Sequence, residues 1–179
     1  MLTQTILTLA PFAAETTVSG VPSNHGEVRV GGQQVGYGDY GIGALGAVAD
    51  AFRLINSRLN VRFIIPDPGE ISTTIKIGEA VLVAVHGHQA KRIENMPQWI
   101  AGQAATPSSP FARATIIAHG HYHHAAYNTS RGREIISCPT LDAGSRWLRD
   151  QTGEWSQPGL ACFRVKGQHA TDLRFLEAQ

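Results

Sequence analysis

Ala114-Thr115-Ile116-Ile117-Ala118-His119-Gly120-His121-Tyr122-His123-His124 is the stretch on which the fold turns. Its first half is a short apolar run of the kind found in a strand covered on both faces. Its second half carries four histidines: His119, His121, His123 and His124. Upstream, Val81 to Val85 is a second continuous apolar run, and it too ends in histidine, at His86-Gly87-His88. Both read as buried strands of an α/β fold, where ligand sites collect at strand ends.

Outward from these two strands the pattern stays mixed. Residues 2–14 read as a helix ended near Pro11, and Thr16 to Val21 as a short strand. Residues 22–43 are rich in glycine and polar side chains and read as loop. Leu45, Val48, Phe52, Ile55 and Leu59 recur at helical spacing and predict one apolar stripe. Val61 to Ile65 is a strand stopped by Pro66 and Pro68. Ile71 to Ile77 with a turn at Gly78 predicts a hairpin into the Val81 strand. A helix over 92–104 carries Met96, Trp99 and Ile100, and further strands are expected at 134–137, 160–165 and 173–176. No repeat, low-complexity tract or linker interrupts the 179 residues, which read as one domain, 1–179.

Composition excludes several classes. Hydrophobic residues make up 42% and charged residues 16% of the chain, the balance of a globular protein rather than a disordered one. A net charge of +1 gives no broad basic face for nucleic acid or membrane. Leu2 to Ala14 has no basic residue before it and is too short and polar to span a bilayer, so a cytoplasmic protein without a membrane partner is expected. Cys138 and Cys162 lie in apolar, strand-like runs and read as buried free thiols.

Seven of the eight histidines fall into three clusters, at His25, at His86 and His88, and at His119 to His124; each cluster follows a predicted strand. Imidazole is the commonest metal ligand, and strands hold it rigidly. Three clusters at strand ends therefore suggest a metal site. His119, His124 and His169 have no such support and read as structural.

The motifs resemble those of the calcineurin-like metallophosphoesterases, phage and actinobacterial members in particular. Ser23-Asn24-His25-Gly26-Glu27 is similar to the family's Gly-Asn-His-Asp/Glu, with Ser for Gly. Val85-His86-Gly87-His88 is similar to its single-histidine strand end, and Gly120-His121-Tyr122-His123 to its Gly-His-x-His. The run Pro139 to Trp147 adds to the likeness, which extends over about residues 2–166.

What this resemblance implies is a two-sheet β-sandwich flanked by helices, an α/β fold with the site at one end. In that family two divalent ions (Mn, Fe or Zn) hydrolyse phosphate mono- or diesters, with DNA among the candidate substrates. By resemblance Asn24, His86 and His121 hold one ion and His123 the other. His86 is preferred to His88 because it lies closer to the strand. His25 is the expected catalytic proton donor or charge stabiliser at the leaving group, and Arg29 and Arg146 are candidate ligands for a phosphate oxygen.

The family opens with Asp-x-His and then Gly-Asp-x-x-Asp. Neither stands in this sequence: Gly38-Asp39 is followed by Tyr40-Gly41-Ile42 and comes after the Asn-His motif. The expectation is a chain incomplete at its N-terminus, active when an N-terminal partner of a split enzyme completes it. The alternative is a non-catalytic metal-binding or interaction remnant.

Overall fold

The computed structural model describes residues 2–55, 59–142, 149–150, 153 and 157–177. It divides after Thr73 into two compact units.

The first unit begins with α1 (Leu2–Leu9), whose Ile6 is buried, and a 3-10 turn Ala10–Phe12 with Pro11 at its start. Strand β1 (Thr16–Ser19) follows. Residues 22–43, expected as loop, instead contain a hairpin: β2 (Glu27–Val30) and β3 (Gln33–Asp39), paired antiparallel. Its tight turn is Gly31-Gly32, at φ 62° and 82°. Glycine takes the left-handed region at no steric cost, so the composition that suggested a loop supplies the hairpin's turn.

Asp39 ends β3 and caps α2 (Tyr40–Leu54), accepting from the Ile42 N–H at 2.9 Å. Leu45, Ala49 and Phe52 carry the buried face of α2. Ile55, expected in that stripe, falls just past the helix end and is exposed. Strand β4 (Val61–Ile64) pairs in parallel with β1, Thr16 opposite Val61 through Ser19 opposite Ile64. The small core joins Ile6, Ala10 and Phe52, with Val18, Val48 and Phe63 packed against them.

The second unit is built on one mixed sheet. Its strands are β5 (Ser72–Ile77, within which the division falls), β6 (Ala80–Val85), β7 (Ile116–His119), β8 (Ala126–Ser130) and β9 (Arg133–Ser137). Their order is β5-β6-β7-β9-β8. The apolar runs that opened the sequence reading are the central parallel pair, β6 and β7, in register from Leu82–Ile116 to Val85–His119. On one face of the sheet, α3 (Met96–Ala104) and α4 (Pro110–Arg113) bury Met96, Ile100 and Phe111 against Val83, Val85 and Ile117. Trp99 packs edge-on to Phe111, centroids 5.3 Å apart, as a core residue.

The other face is covered by an antiparallel hairpin, β10 (Gly159–Lys166) and β11 (His169–Glu177). Its Ala161, Phe163, Val165, Ala170 and Leu173 pack on Leu82, Ile116 and Ile136. The unit is thus a mixed α/β structure with two packed sheets and helices outside. Strand β8 was not expected. Its turn to β9 puts Arg131 and Gly132 at φ 51° and 75°. Cys162, expected buried, alternates outward on β10 and is exposed. Cys138 is half-buried, and burial pushes its thiol pKa up.

Candidate metal centre

Parallel pairing of β6 and β7 brings their C-terminal ends side by side, and the loops that leave them are stitched together. The Gly120 N–H donates to the His86 carbonyl at 3.0 Å, and the Tyr122 hydroxyl donates to the Gly87 carbonyl at 3.0 Å. Burial, followed by the charge of Glu94, raises the Tyr122 pKa and keeps this donor protonated. Gly87 has φ 110°, and a Cβ there would stand 3.1 Å from Met96 Cε and 3.3 Å from the Gly120 oxygen. Glycine is therefore what lets the first loop pass under the second.

In the second loop His121 and His123 both have left-handed backbones, φ 71° and 59°. Such positions in residues with a full side chain are uncommon and strained, and they gather at functional sites. The turn aims His121 across to His86: its Nδ1 lies 3.2 Å from His86 Nε2. The contact is a hydrogen bond in the tautomer that puts a proton on one of these two nitrogens. His88 adds a third ring, its centroid 5.4 Å from that of His86 and 5.9 Å from that of His121.

The chemistry of this cluster can be tested by its spacing. Two imidazole nitrogens bound to one tetrahedral ion at 2.0–2.1 Å stand about 3.3 Å apart, close to the observed 3.2 Å. The His86–His121 pair therefore fits two ligands of one ion. Among the described residues no group of three His, Cys, Asp or Glu side chains is arranged to hold a metal. His123 is half-buried. His124 Nδ1 bonds the Tyr122 carbonyl. His119 is 2% exposed, its Nδ1 donating to the Gly120 carbonyl at 3.1 Å, and burial lowers its pKa. His169 pairs with Glu134 at 3.2 Å on the surface.

Asn24 and His25 belong to the first unit. They occupy a turn closed by the Gly26 N–H, which donates to Ser23 Oγ at 2.9 Å. Asn24 is half-buried and His25 exposed. Asp39 fastens this turn: its carboxylate accepts from the Ser23 N–H at 2.9 Å as well as capping α2. A Cβ on Gly26 would fall 2.2 Å from Asp39 Oδ2, so the close approach needs glycine. Sequence reasoning missed Asp39, because it tested that residue only as part of a metal-binding motif. A helix-start pattern, Asp followed by the 40–54 apolar stripe, was the signal available. Arg29 is engaged by Glu27 through Nη2 and Nε, at 2.7 and 3.2 Å. Arg146 and Trp147 lie outside the described residues.

No family model matches the chain, and no curated protein does. Solved structures show loose likenesses. A conserved uncharacterized Streptococcus pneumoniae TIGR4 protein, described as a predicted phosphoesterase, is 12% identical over 66% of this chain and 63% of its own, with a TM-score of 0.44. Entamoeba histolytica Vps29 complexed with zinc is 15% identical over 69% and 65%, with a TM-score of 0.43. An archaeal phosphodiesterase is 11% identical over 73% and 76%, with a TM-score of 0.38. The chain thus spans less than two thirds of the length of the first two. No helix among the described residues is long and apolar enough to cross a membrane.

Proposed function

We propose that this chain is the histidine-bearing part of a calcineurin-like, metal-dependent phosphoesterase of the phage and actinobacterial type, working in the cytoplasm. The observation that carries the reading is the 3.2 Å approach of His121 Nδ1 to His86 Nε2 across two stitched strand-end loops. His86 and His121 would hold a divalent ion there, Mn, Fe or Zn, as ordinary nitrogen ligands. Such an ion supplies Lewis-acid polarisation of a phosphoryl oxygen and acidification of a bound water. By the same resemblance Asn24 is the candidate third ligand of this ion and His123 the candidate ligand of a second. His25, exposed on its turn, is the candidate proton donor to a leaving oxygen. Arg29 could reach a phosphate only by leaving Glu27.

The second metal of the family, and the carboxylate that bridges the two, find no counterpart in this spacing. A hydrolase completed by an N-terminal partner carrying Asp-x-His and Gly-Asp-x-x-Asp accounts for that; a metal-binding remnant without catalysis is the second reading, favoured by the want of a third clustered ligand among the described residues. The test is hydrolysis of bis(p-nitrophenyl) phosphate and of single-stranded DNA with Mn²⁺, by the chain alone and by the chain with such a partner. Metal-dependent turnover lost in a folded His121→Ala variant supports the enzyme. Turnover untouched by that variant removes this site from the chemistry. Metal binding without turnover in either preparation selects the remnant.

A further inference from the structure

On the helix-covered side of the second unit, where β7 and β9 end, lies a cavity of about 230 Å³. It is below the roughly 300–1,000 Å³ of pockets for drug-sized ligands, so it suits a fragment-sized molecule. Its walls are largely apolar, from Ile93, Met96, Pro97 and Ile135. Glu94, Tyr127 and Asn128 line its exposed rim, and two buried polar side chains, His119 and Ser137, interrupt the apolar wall. These two are register partners at the ends of adjacent parallel strands, so they stand side by side on one face of the sheet.

Both are almost wholly buried, His119 at 2% and Ser137 at 1% exposure. The Ser137 hydroxyl has no hydrogen-bond partner among the described residues. A buried hydroxyl left unpaired is costly, and in native structures it calls for a water, an ion or a ligand. His119 Nδ1 is occupied by the Gly120 carbonyl and so bears the ring proton, which leaves Nε2 as an acceptor. A ligand group that both donates and accepts satisfies such a pair. Glu94 also lines the cavity and sets a negative charge against anions.

We infer that this cavity binds a small neutral molecule with an apolar body and a primary amide or lactam edge, the edge meeting Ser137 Oγ and His119 Nε2. The site is distinct from the His86–His121 pair and needs no metal. Discrimination rests on the polar edge, because a site built for hydrogen bonds rejects an isostere that leaves them unmade.

Benzamide, benzoate and toluene are the probes, each titrated into the ¹⁵N-labelled chain and followed by amide shifts. Benzamide should give saturable millimolar shifts at His119, Ile135 and Ser137. Benzoate and toluene should each bind about tenfold more weakly or not at all. Ser137→Ala should weaken benzamide about tenfold, and Ala126→Leu, which fills the cavity from β8, should abolish its binding. The inference is overturned if benzamide causes no saturable shift, if toluene binds as well, or if Ser137→Ala leaves its affinity unchanged, the hydroxyl then being served by water alone.

Discussion

The turn bearing Asn24 and His25 and the loops bearing His86 and His121 are fastened by different means. The first leans on a side chain: the Asp39 carboxylate takes the Ser23 N–H and the start of α2 together, beside one backbone bond from the Tyr40 N–H to the Gly26 carbonyl at 2.8 Å. The second is fastened by backbone, through parallel strands in register, the Gly120-to-His86 hydrogen bond and the passage of Gly87 beneath Gly120. A turn that leans on one carboxylate can be loosened through one substitution outside the histidines. A pair of loops held by the sheet yields only when backbone is forced aside.

The sharpest way to break the second fastening is Gly87→Ala. Its φ of 110° and its contacts near 3.2 Å with Met96 and Gly120 allow no cheap relaxation. We expect a loss of about 3 kcal/mol in chemical denaturation, with the amides of the second unit most affected. Asp39→Ala breaks the first. Losing a helix cap and a second buried acceptor should cost about 2 kcal/mol, read by hydrogen exchange in 22–45. Asp39→Asn should recover part of it.

His121→Gly separates strain from function. Glycine relieves the left-handed backbone at φ 71°, so stability should rise by about 0.5–1 kcal/mol while metal affinity falls. Loss of stability on this substitution would mean that the ring is there for packing. The smallest effect is on pH. Burial lowers the His119 pKa in the folded chain. The unfolded chain then takes up the proton first, so stability is full above pH 6.5 and declines as pH falls below it. His119→Gln should flatten that part of the stability–pH curve.

These two fastenings also differ in how far they were legible in the sequence. The strand-end histidines could be read because Val81–Val85 and Ile116–Ile117 admit little but buried strand, which fixes where the next residues emerge. The β2–β3 hairpin could not. Its glycines serve a tight turn, yet in composition they look like loop, and only pairing across Gly31-Gly32 tells the two apart. Strand β8 was hidden because Tyr127, Asn128 and Thr129 are exposed at a sheet edge and leave no apolar alternation to read. Cys162 was misplaced because apolar neighbours on a hairpin alternate between faces. The His121–His86 approach depends on a left-handed residue at position 121, a backbone choice that histidine does not announce.

The central claim is that His86 and His121 take one metal ion between them. Zn²⁺ titration of the intact chain, read by ¹⁵N shifts of the histidine rings, tests it directly. One equivalent should bind and move His121 Nδ1 and His86 Nε2 together, and either alanine substitution should lower affinity at least about tenfold. Zinc that leaves both nitrogens unmoved, or that binds the His86→Ala and His121→Ala variants as tightly as the natural chain, would contradict it.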